Sequence, residues 1–225
     1  MGIPRISIVA ASLIFFLVSC SITKLGEGKA YESPEYAVMH SESDFEVRFY
    51  RESVWMSASA DEISFEKATR DGFHRLFQFI EGANLNFSRI PMTVPVLTSV
   101  VPGAGPLQSS AYNIKFYLPV EFQGTPPLPL PELKLKPDSW KCHCIAVRKF
   151  SGFARDNNIV KEAEKLAMSL SRSAWANTSF VQSEYAYSIA QYNSPFRFIG
   201  RVNEVWVVVD GSEAAGCKPR LVAEF

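Results

Sequence analysis

Phe45, Val47 and Phe49 alternate with Glu46, Arg48 and Tyr50, a period of two that predicts a half-buried strand. Residues 54–60 read as its hairpin neighbour. The period then lengthens. Phe65, Ala68, Phe73, Leu76, Phe77 and Ile80 recur at helical spacing up to Gly82, and Ser64 with Glu66 supplies a cap and an acidic first turn, predicting a helix over 64–81. Residues 89–96 read as extended, because Pro91 and Pro95 forbid helix and restrict their predecessors. Residues 112–118 form another alternating strand.

Proline crowds 119–137, which reads as an extended crossing segment and an internal boundary. A similar order follows. Residues 142–150 predict a strand with a turn at Ser151-Gly152. A helix carrying Ile159, Val160, Ala163, Leu166, Ala167 and Leu170 comes next, with Asp156, Asn157 and Asn158 offering its cap. Strands over 185–192 and 204–209 close the domain. Two strand-helix-strand-strand halves predict an α+β fold: a twisted, antiparallel, barrel-like sheet flanked by two helices, with a cleft between the halves. Residues 31–209 form this domain, and 210–225 a Gly- and Ala-containing tail.

The N-terminus has a different pattern. Arg5 precedes an apolar run over 6–18 that is shorter than the roughly 20 residues needed to span a bilayer. Residues 1–30 therefore read as a removable signal peptide, leaving no stable membrane span in the mature chain. Cleavage fits near Ser19 to Ser21 or after Ala30, and Leu17-Val18-Ser19-Cys20 also has the form of a bacterial lipoprotein box. Export implies the secretory pathway and an extracellular or endomembrane lumenal destination. It favours one disulfide. Cys142 and Cys144 lie two apart on a strand, a Cα separation of ~6.5–7 Å, so Cys217 is the better partner for one of them. Asn86-Phe87-Ser88 and Asn177-Thr178-Ser179 are glycosylation sequons, so a glycoprotein is expected.

Charge narrows the partners. Among 225 residues, 23 Lys and Arg balance 23 Asp and Glu, which argues against nucleic acid and against affinity gained by coating an anionic membrane. The 17 Phe residues supply aromatic surface for a core and a flat ligand. No G-x-S-x-G elbow, H-E-x-x-H, glycine-rich phosphate loop or informative carboxylate pair occurs, so no catalytic residue is assigned.

Four segments, Phe45-Glu46-Val47-Arg48-Phe49-Tyr50, Ile90-Pro91-Met92-Thr93-Val94-Pro95-Val96, Gly152-Phe153-Ala154 and Tyr192-Asn193-Ser194-Pro195-Phe196, precede Arg201-Val202-Asn203-Glu204-Val205-Trp206. In that order they resemble the SOUL haem-binding family, across residues 36–209. The resemblance implies the two-halved, barrel-like sheet and a non-covalent haem or other porphyrin in an apolar surface cleft. The function it implies is that of a non-enzymatic carrier, scavenger or buffer. Basic residues that meet the propionates in relatives match Arg70 and Arg197 here, with Phe77 and Gln78 further along the helix. Guanidinium forks suit carboxylates.

Two departures stand out. Gln78 replaces a lysine found in some relatives, and Phe49, which cannot ligate iron, replaces a histidine linked to ligation in another branch. His74 lies between Arg70 and Gln78 at i+4 spacing, so it is the candidate axial ligand or a porphyrin neighbour; the plain alternative is an exposed helix histidine. His143 between two cysteines reads as part of a strand rather than a metal knot, and His40 lies just upstream of the first strand. The alternatives to a haem carrier are the same fold acting through protein partners or another amphipathic molecule, and a haem-dependent enzyme.

Overall fold

The computed structural model describes residues 31–101, 111–173, 175 and 186–209. The described residues belong to one compact unit. The predicted leader and tail, Cys217 and the Asn177 sequon lie outside the described residues.

Nine strands form one antiparallel, half-barrel sheet: β1 (Tyr36–Ser41), β2 (Glu46–Tyr50), β3 (Ser53–Asp61), β4 (Val96–Val101), β5 (Ala111–Tyr117), β6 (Leu135–Trp140), β7 (His143–Ser151), β8 (Tyr187–Gln191) and β9 (Val202–Val209). The helices are α1 (Phe65–Ile80), the short α2 (Val120–Gln123) and α3 (Ile159–Ser171). The fold is the α+β, barrel-like arrangement the pattern predicts.

The strand order β1-β2-β7-β9-β8-β4-β5-β3-β6 contains two matching triplets. In each half the strand before the helix pairs with the second strand after it, and β8 joins β4 at the centre. Each half also lends its leading strand to the other: β2 pairs with β7, and β6 pairs with β3.

This exchange overturns the hairpin expected between 45–50 and 54–60. β2 lies between β1 and β7 and does not pair with β3. The two-residue connection is Arg51-Glu52, whereas tight hairpins use residues such as Asn-Gly that tolerate positive φ. The chain crosses to the other half instead. The proline-rich segment also holds more order than expected, carrying α2, a 3-10 turn over Pro131–Leu133 and the start of β6. His40 belongs to β1 rather than preceding the first strand, and Nε2 lies 2.9 Å from Glu42.

Alternation sorts side chains to two sheet faces. Met56, Ala58, Ile114, Ala146 and Val205 face the helix-side core, while Trp55, Tyr117, Ile145, Val147 and Trp206 form a second cluster. Helix α1 packs on β3 and β5, and α3 packs on β7 and β9. The buried stripe of α1 is Phe65, Ala68, Gly72, Leu76, Phe79 and Ile80. At Gly72 an added Cβ would lie 2.6 Å from the Ile114 side chain, so glycine permits this close helix–sheet approach. Phe73 is only half-buried and Phe77 is exposed, although both fall at apparently apolar helical positions. The helix keeps Phe73 at the core's edge, 5.4 Å from Phe116, and turns Phe77 to the surface.

Candidate functional site

The candidate cleft lies where the halves meet. Its floor includes Val96 and Gln191, register partners at the ends of β4 and β8. One wall is α1. Phe65, Thr69 and Phe73 are spaced by four residues, as are Glu66, Arg70 and His74, so both rows turn toward the same opening. Asn193, Pro195 and Arg201 from the loop between β8 and β9 form the other wall, with Ala154 from the turn after β7. Its volume is about 310 Å³.

The helix wall is held at its first turn. Ser64 Oγ accepts the Lys67 amide at 3.1 Å. Asp156, across the halves, accepts the Phe65 amide at 2.5 Å and the Ser64 hydroxyl at 2.7 Å. Asp156 was expected to help cap α3. Its carboxylate instead meets two donors at the start of α1. Asn158 is the α3 N-cap residue but makes no side-chain cap bond; it binds the preceding turn through the Arg155 amide and Phe153 carbonyl.

The loop wall is organised by Arg201. Only 4% exposed, this residue donates to the carbonyls of Ser194 at 2.7 Å, Arg197 at 2.9 Å and Asn193 at 3.4 Å. Its guanidinium carbon lies 4.3 Å from the Phe153 ring centroid. No carboxylate pairs with it among the described residues, and its buried Nε has no hydrogen-bond partner. Burial pushes its pKa down and the neighbouring Arg197 charge adds to that. A buried donor without an acceptor is costly. An anionic group entering beside it would relieve that cost.

The predicted residues divide. Arg70 and His74 line the cleft. Arg70 is 64% exposed in its side chain and bonds to Asp71 at 3.2 Å, an exposed pairing of little strength that leaves other donors available. His74 is exposed and its ring lies edge-on to Phe73 at 6.4 Å. Phe77 and Gln78 are exposed further along α1 and are not among the cleft-lining residues, although Phe77 stacks on Phe73 at 5.7 Å. Arg197 is exposed too, and its Nε donates to the Ile199 carbonyl at 3.1 Å. Phe49 packs against the helix-side core. The cleft wall also includes Arg201, to which the sequence pattern gives no binding role. Its sequence signal is its place at the head of the Arg201-Val202-Asn203-Glu204-Val205-Trp206 segment, but alternation does not reveal its placement over Phe153.

A smaller hollow of about 170 Å³ on the other sheet face is lined by Tyr36, Tyr50, Tyr192, Arg48 and Glu204. Arg48 and Glu204 satisfy one another, with Tyr192 and Trp206 also donating to Glu204, so this polar group is built into the scaffold. Cys142 is an exposed free thiol, while Cys144 is buried on β7. Among the described residues, no cluster of three His, Cys, Asp or Glu side chains is placed to hold a metal. No described helix is long and apolar enough to cross a membrane.

Comparisons with known proteins agree with the motifs. Human heme-binding protein 2 is 33% identical over 81% of this chain and 85% of its own length. Xenopus laevis heme-binding protein 1 is 26% identical over 73% and 83%. The crystal structure of the EcmrR C-terminal domain overlaps 78% of this chain and 98% of its own, at 8% identity and a TM-score of 0.48. The family profile described as SOUL heme-binding protein matches residues 31–208, and the chain belongs to that family.

Proposed function

We propose that the protein binds haem or a related tetrapyrrole without covalent attachment in the cleft between α1 and the β8–β9 loop, as a carrier, scavenger or buffer. Arg201 carries this reading: a buried cation with an unpartnered Nε lines the cleft beside an aromatic ring. Phe73, half-buried on the helix wall, offers flat apolar contact, while Arg70 approaches from the same helix. Two guanidinium groups suit the carboxylates of a porphyrin. The volume is at the low end of the ~300–1,000 Å³ typical of ligand sites, which favours holding one edge or face of a macrocycle. His74 is the available imidazole on the same helix stripe and is assigned as an iron ligand or rim contact.

Arg197 is placed in a supporting role, because its Nε is already held by its own loop. The proposed setting is the secretory pathway, after removal of residues 1–30. A single Cys144–Cys217 bridge and glycosylation at exposed Asn86 accompany that setting, since Cys142 is free.

Hemin titration followed at the Soret band tests the site. Arg201→Met should weaken affinity by about 10- to 100-fold, the span of a lost charge-assisted contact. Arg70→Ala should cost less, and Arg201→Lys should recover part of the loss. Circular dichroism checks that each variant folds. Failure of the parent to bind hemin saturably at micromolar concentration, or unchanged affinity in folded Arg201→Met/Arg70→Ala, would overturn the reading. His74→Ala separates ligation from contact, because only ligation requires changed iron ligand-field bands.

A further inference from the structure

The loop beside the cleft contains Ser194-Pro195-Phe196-Arg197-Phe198-Ile199-Gly200-Arg201, without an acidic residue. Phe196, Phe198 and Ile199 are 84%, 74% and 87% exposed. Isolated apolar side chains on a surface are ordinary, but three within four residues on one short loop form a concentrated tip. Phe198 has a partial partner in Phe153 at 6.1 Å; Phe196 and Ile199 are the more exposed pair.

The backbone beneath the tip is internally bonded. Guanidinium groups occupy the carbonyls of Asn193, Ser194, Arg197 and Ile199. The amides of Phe196, Arg197 and Val202 donate to Ser194 Oγ, the Ser194 carbonyl and Asn193 Oδ1. Gly200 at φ +64° closes the turn in a conformation that favours glycine. The apolar tip therefore stands on a base whose flanking backbone groups, at Asn193, Ser194, Arg197 and Val202, are bonded within the protein. A held base with apolar side chains at its tip suits the boundary between headgroups and acyl chains, where water and headgroups meet the remaining backbone groups.

We propose that this loop docks the protein on a lipid bilayer, with Phe196 and Ile199 entering the boundary between headgroups and acyl chains. Arg197 keeps terminal nitrogens for lipid phosphate while its aliphatic stem remains near the apolar layer. The absence of acid on the loop makes that contact electrostatically compatible. The whole chain carries balanced charge, so insertion of the tip provides the attachment. Asn193, Pro195 and Arg201 connect the docking loop directly to the cleft wall. Docking would bring the cleft beside the phase into which amphipathic molecules partition. It does not require the tetrapyrrole reading to hold.

Vesicle flotation of the compact unit beginning at Tyr31 tests this surface. Phosphatidylcholine vesicles are used alone and with about one-third phosphatidylserine, which adds an anionic surface. The parent should float with both. Phe196→Ser/Ile199→Ser should reduce the bound fraction by about tenfold. Val160→Ser/Met168→Ser, which removes half-exposed apolar groups from α3, should float like the parent.

Failure of the parent to float, or equal flotation of the loop variant, overturns the proposal. So does a loop variant that changes only the oligomeric state or only hemin affinity, outcomes assigning the tip to a second copy or a cover for the cleft. Hemin titration and light scattering on the same samples distinguish those outcomes. Absence of hemin binding alongside tip-dependent flotation would overturn the tetrapyrrole reading but leave docking supported.

Discussion

Asp156 accepts the Phe65 amide at 2.5 Å, so an acidic side chain from the second half meets the first turn of the helix in the first half. The Asp156 amide faces Glu66 at 3.4 Å in the reverse direction. These contacts join the turn bearing Ala154 to the helix bearing Phe65, both part of the cleft. Asp156→Ala should destabilise the protein by about 1–2 kcal/mol through loss of helix-end contacts. Asp156→Asn should retain part of that stability. Urea unfolding checks the result, and an unchanged midpoint for the alanine variant would remove the proposed energetic role.

Arg48 and Glu204 form a two-bond ion pair at 2.9 and 3.1 Å, and their side chains are only 1% and 4% exposed. Glu204 also accepts from Tyr192 at 2.7 Å and Trp206 at 2.8 Å. Arg48 also meets Glu46 at 2.7 Å, so Glu204→Gln, which leaves that second carboxylate in place, should cost about 1–3 kcal/mol. Arg48→Met/Glu204→Leu should cost less than the sum of the two single changes, because neither charge remains stranded. A double-mutant cycle measured by denaturant unfolding checks that relation. Additive losses would mean that the two side chains stabilise the fold independently.

His143 supplies a pH dependence. Burial pushes its pKa below the ordinary 6.5; the Lys141 carbonyl opposes that effect, and Lys115 reinforces it. Its ring also meets Trp140 and Tyr50. Above about pH 6.5, the histidine is neutral in both folded and unfolded chains. As pH falls through that value, the unfolded chain gains a proton before the folded chain does. The folded state therefore loses relative stability on acidification, until its own depressed pKa is crossed. Between about pH 7 and 5, unfolding free energy should fall, and His143→Gln should flatten that fall. Denaturant titrations across this interval provide the measurement; an identical slope in the variant would assign the pH response to other groups.

The sequence alone determines the periods that make α1 and the principal strands, because those signals depend on neighbouring residues and local backbone preferences. It also carries the SOUL motifs and places Arg70 and His74 four residues apart on a helix. The tertiary structure decides that β2 leaves β3 to pair with β7, and that Phe77 faces outward. It also decides that Asp156 caps the opposite half's helix and that Arg201 joins the cleft wall. Pairing and burial depend on residues distant in the chain, which an alternating or helical period does not identify. The proposed tetrapyrrole site adds Arg201 to the cationic residues, Arg70 and Arg197, that the family motifs point to. Only the folded loop can bury the Arg201 guanidinium over Phe153 and leave its Nε without a partner.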